Sequence, residues 1–74
     1  MKMPYGIYRI KEGEECEIKI YYSACEAALR KCKEGEELVG IYEREKDARF
    51  FAEIEEERIK YRGSVGPIEE RARA

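Results

Sequence analysis

The sequence predicts an α+β domain in which a four-stranded β-sheet is packed by one helix, in the order ββαββ, with a short C-terminal helix. Three observations carry this. Cys16 to Tyr22 alternates apolar and polar residues with period two. Ser23 opens a helix signature whose apolar residues repeat at helical spacing. Between such segments one glycine-centred idiom recurs, Lys11-Glu12-Gly13-Glu14-Glu15 and Lys33-Glu34-Gly35-Glu36-Glu37.

Tyr5 to Lys11 reads as the first strand. Cys16, Ile18, Ile20 and Tyr22, set against Glu17, Lys19 and Tyr21, mark the second as half-buried. Glu12-Gly13 supplies a turn, because glycine tolerates positive φ. A two-residue loop there pairs Ile7 with Ile18 and Tyr5 with Ile20. A looser loop pairs Tyr8 with Ile18 and Arg9 with Glu17. The two registers differ by one residue, which exchanges the faces of every side chain.

Ser23-Ala24-Cys25-Glu26 matches a capping box. Cys25, Ala28, Leu29 and Cys32 then form one helical stripe, and Gly35 suits the position after the helix, so a helix is predicted over 24–34. Leu38 to Glu45 reads as a third strand. Residues 47–62 fit two states. As a helix they have an Asp47 cap, early acids and late bases. As a strand they fold back on the third, pairing Ile41 with Ala52, Val39 with Ile54 and Glu43 with Phe50. The rings of Phe50, Phe51 and Tyr61 favour the strand. Gly63 to Gly66 reads as a loop. Pro67 suits the first turn of the short terminal helix, with Glu69 and Glu70 ahead of Arg71 and Arg73.

Strand, strand, helix, strand, strand over about residues 4–62 resembles the order of the β-grasp fold, as in ubiquitin and the immunoglobulin-binding domains of protein G. The resemblance covers element order and no motif. The chain ends Ala72-Arg73-Ala74 and lacks the terminal Gly-Gly of ubiquitin-type conjugation, so it implies no such chemistry.

Seventy-four residues predict one domain over 1–74, with a thin core that disfavours a deep pocket. Fifteen basic residues oppose seventeen acidic ones, leaving −2. That balance lacks the positive surplus that displaces counterions from nucleic acid, so no nucleic-acid partner is expected. No apolar run approaches the ~18 residues of a membrane span, and residues 1–6 do not resemble a signal peptide. A cytoplasmic setting and no membrane partner are therefore expected. The chain has no His, Trp, Asn, Gln or Thr, and Asp47 is its single Asp. Glu and Lys in place of Asn and Gln fit a hyperthermophile protein. Filling by helix and turn propensity fits a computed sequence, and on these residues the chain resembles a de novo designed protein.

Three features bear on function. Cys25 and Cys32 are separated by ~10.5 Å of helix rise, too far to bridge, whereas Cys16 and Cys32 are within reach of each other across the strand. With no CxxC and no His, no metal, cofactor or His-activated nucleophile is expected. The three cysteines are read as apolar filler pointing inward. The sheet face opposite the helix is expected to carry Tyr21, Tyr42 and Phe51 as an interaction face for a protein partner or a second copy, with an edge strand as the other route. The carboxylates Glu53, Glu55, Glu56 and Glu57 read as a solvated face. The expected function is a non-catalytic structural or interaction module, a designed scaffold or binder; the alternative is thiol-based redox or covalent activity through Cys16, Cys25 or Cys32.

Overall fold

The computed structural model describes residues 3–59 and 70–73. The elements run β1 (Tyr5–Glu12), β2 (Glu15–Tyr22), α1 (Glu26–Arg30), β3 (Glu36–Tyr42), α2 (Glu45–Ile59) and β4 (Glu70–Ala72). The four strands form one mixed sheet in the order β3-β1-β2-β4. β1 is antiparallel to both β2 and β3, whereas β4 lies parallel to β2. The α+β class and the four-stranded sheet follow the expectation. The ββαββ order does not: a helix stands where the fourth strand was expected, and the fourth strand comes last.

The first hairpin closes on Gly13-Glu14, with Glu12 opposite Glu15 and Ile7 opposite Ile20. Gly13 has φ +63 and takes the first central position of the turn, the place of glycine in a type II′ hairpin. Both expected registers had centred the turn too early. The two-residue-loop register is displaced by two positions, so it keeps each side chain on its face. The looser one would have reversed them.

Helix α1 is shorter than the expected 24–34 span. Its cap is also different: the Ser23 hydroxyl accepts from the Cys25 amide at 3.1 Å, and Glu26 closes no box. The helix stops because tertiary donors capture its carbonyls. Tyr8 Oη donates to Leu29 O, and Arg73 Nη2 donates to Lys31 O at 3.0 Å. The Lys33 amide, which would have continued the helix onto Leu29 O, donates instead to Glu36 Oε1 at 2.9 Å. Gly35, expected just beyond the helix, has φ +85 in a turn closed by Glu36 N on Lys33 O.

Residues 45–59 form helix α2, which overturns the strand reading of 47–62. The strand reading set Phe50, Ala52 and Ile54 on one face and Phe51 on the other, the open one. The structure buries Ala48, Ala52 and Glu55, spaced i, i+4 and i+7, and leaves Phe50 and Phe51 exposed. The two alanines let α2 lie close on Ile7, Ile18 and Ile20, which are at most 3% exposed, with Tyr5, Val39 and Tyr42 packed at the margin. Arg9 leaves the same sheet face to meet Glu55 Oε2 at 2.9 Å and Glu37 Oε1 at 2.7 Å. Glu55, expected in a solvated face, is thus buried as a partner of a cation.

Tyr8 alternates with Ile7 and points to the opposite face. That face is covered by the α1 segment, where Leu29 is fully buried. The expected open sheet face is therefore occupied. Residues 70–72 are strand β4, not part of a terminal helix; the expected loop at 63–66, Pro67 and Tyr61 lie outside the described residues. β4 is fastened by Arg49 Nε to Glu70 Oε1 at 2.8 Å and by the Arg73 amide to Tyr22 O at 2.8 Å.

Candidate functional site

The expected face of Tyr21, Tyr42 and Phe51 is not one site. Tyr42 comes from the end of β3 and Phe51 from the second turn of α2. Their rings stack at 4.9 Å with planes 11° apart. Phe50 adds a third ring, edge-on to Phe51 at 5.2 Å. Phe50 is 59% exposed and Phe51 39%. Ile54, one turn further on, is half-buried and extends the patch along α2. This cluster flanks β3, an edge of the sheet. Phe50 was missed as part of it because a strand would have turned successive rings to opposite faces.

Tyr21 lies on the other face, in a cation clamp that the sequence reading did not find. The Arg73 guanidinium sits 4.8 Å from the ring centroids of both Tyr8 and Tyr21, which meet edge-on at 5.2 Å. It forks onto Glu36, with Nη2 2.7 Å from Oε1 and Nη1 3.3 Å from Oε2. Both side chains of this pair are about nine-tenths covered, at 10% and 9% exposed. The fork from Arg73 holds the Glu36 carboxyl below the usual carboxylate range. Burial raises the Tyr8 phenol, and the nearby Arg73 charge opposes that rise. In the sequence Arg71 and Arg73 fit the late bases of a helix, and no local pattern marks either as a strand end.

The inward-pointing cysteines are corrected. Cys16 is half-buried, Cys25 and Cys32 are exposed, and all three are free thiols, so Cys16 and Cys32 are not bridged. The helix stops before Cys32, which removes that residue from the stripe expected to bury it. Cys32 instead lines a cleft of about 430 Å³ with Tyr21, Ala28, Lys31, Lys33 and Arg73. Among the described residues no group of three or more Cys, Asp or Glu is placed to hold a metal ion. No helix among them is long and apolar enough to cross a membrane.

Comparison with known protein families, with curated proteins and with solved structures gives no match for this chain.

Proposed function

We propose that this chain is a non-catalytic interaction module whose contact surface is the ring cluster of Tyr42, Phe50 and Phe51. The observation that carries the reading is the exposure of two phenylalanines on a helix whose buried residues, among those described, are Ala48, Ala52 and Glu55 on another face. Rings left in water on a stable face suit a contact that removes them from it. The Glu- and Lys-rich composition that resembles designed or thermophile sequences fits a rigid scaffold for such a face. The reading is tested by a photoreactive residue at position 53, beside the rings, with one at Glu14 on the hairpin tip as control. Adducts are expected from position 53 and none from position 14. Equal yields at the two positions, or none at 53, remove this surface from the function.

A second reading has its own observation, the exposed Cys32 thiol in a cleft bordered by Lys31, Lys33 and Arg73. Its chemistry is thiol–disulfide exchange with a small disulfide. The Cys32 thiolate attacks one sulfur, a mixed disulfide forms, and the other sulfur leaves as a thiolate. Flanking cations favour an anionic disulfide. Cys32 is therefore expected to react with an anionic aromatic disulfide about threefold or more faster than Cys25, an advantage that shrinks as salt screens the cations. Reaction followed on the Cys25→Ser and Cys32→Ser variants measures both rates. Equal rates at low salt would end this reading.

A further inference from the structure

We infer that the occupant of the ring cluster is a second copy of this chain, docked by antiparallel packing of α2 on its symmetry mate. The inference rests on the interaction-module reading and names its partner. At ~100° per residue, the direction pointing straight away from the sheet runs through Lys46, Phe50, Glu53 and Glu57. All four are exposed. The face therefore has a cation at its N-terminal end, a ring at its middle and two carboxylates at its C-terminal end.

That arrangement is self-complementary under a two-fold axis. A closed dimer requires each contact of residue i on j to be matched by j on i. An axis beside Phe50 brings the rings of the two copies together. It also carries Lys46 of each copy to the level of residue 54 of the other, ~1.5 Å along the helix from Glu53 and ~4.5 Å from Glu57. Glu53 and Glu57 stand at i and i+4, where like charges repel. Lys46 of a second copy relieves that repulsion. A net charge of −2 leaves little overall opposition to self-association. An unrelated partner would need no such symmetry in the surface; a second copy does. Tyr42, stacked on Phe51, borders the seam on the β3 side.

Sedimentation of the full chain across micromolar to millimolar concentration tests this, with circular dichroism checking that each variant is folded. The wild type is expected to approach twice the 8.7 kDa chain mass. Phe50→Glu is expected to be monomeric. Lys46→Glu, and separately Glu53→Lys with Glu57→Lys, are each expected to weaken the dimer about tenfold, because every pair occurs twice and turns from attractive to repulsive. Mixing these two charge variants must restore a dimer, now mixed, because the reversed charges again face opposite signs. A wild type that stays monomeric throughout overturns the second-copy assignment and leaves the ring cluster to the crosslinking test. A dimer indifferent to Phe50→Glu and to both charge variants overturns this interface and likewise leaves the ring cluster to the crosslinking test. A dimer lost in Phe50→Glu but indifferent to charge overturns the antiparallel seam.

Discussion

Arg73→Ala is expected to lower the stability of the fold by about 3 kcal/mol. The guanidinium holds Glu36 by two bonds, takes the Lys31 carbonyl and fills the space between the Tyr8 and Tyr21 rings. Alanine removes all of these and leaves the Glu36 carboxylate covered without its cation. Removing one member of a covered pair costs more than the pair itself contributes. In a domain this small the melting temperature should fall by roughly 12 °C or more. The effect carries a pH signature. Glu36 titrates below its ordinary value in the folded chain, so the folded state binds its proton less readily than the unfolded state does. The stabilisation is complete above the ordinary carboxylate pKa of about 4.3. It is lost as pH falls from there through the depressed folded value. The gap between wild type and Arg73→Ala in thermal melts should accordingly narrow below about pH 4. Arg73→Lys should fall between the two, since an ammonium keeps the charge but not the planar fork. Equal melting temperatures at neutral pH would show that the clamp is ornamental.

Ile20→Ala is the other large loss, about 3 kcal/mol in urea unfolding. Ile20 is fully buried, and among its partners on α2 are two alanines. Short side chains cannot reach into the space that the isoleucine vacates. The cavity stays open and adds its cost to that of the lost apolar contact. Total stabilities of such domains are about 4–11 kcal/mol, so this one change removes a large share. Ile20→Val should cost about 1 kcal/mol. A loss under about 1 kcal/mol for the alanine variant would mean that α2 settles inward to fill the gap.

The parts legible in the sequence were those whose physics is local. Period-two alternation gave β2, and Gly13 gave the hairpin turn but left two registers open. Of these the two-residue loop, displaced by an even number of positions, has the correct faces and the looser one does not. Distant groups decided the rest. The helix expected to reach residue 34 ends at Arg30 because Tyr8 and Arg73 take its carbonyls, and neither is near it in sequence. The strand state of residues 47–62 was favoured by the β propensity of Phe50, Phe51 and Tyr61. Ala48 and Ala52 hold the buried stripe instead, because small residues let a helix approach a sheet closely. The early acids and late bases, together with the Glu45–Arg49 spacing, were the available helical signal. β4 has three residues and little strand propensity. It is a strand because β2 offers an edge and Arg49 and Arg73 anchor its two ends. For the candidate surface, Tyr42 and Phe51 do meet, but between β3 and helix α2 and not on one sheet face. Tyr21 lies on the other side, which the α1 segment covers.

The brief parallel pairing of β4 with β2 has a consequence for how the molecule opens. Three ladder positions with anchors at either end make a unit that can detach while the β1–β2 hairpin stays intact. Amide hydrogen exchange should then be fast along β4 and slowest in the facing segments of β1 and β2. Each detachment bares the outer rim of β2, a length of unsatisfied peptide groups able to recruit a foreign strand. Arg73 thus acts as a guard against aggregation as well as a brace for the fold.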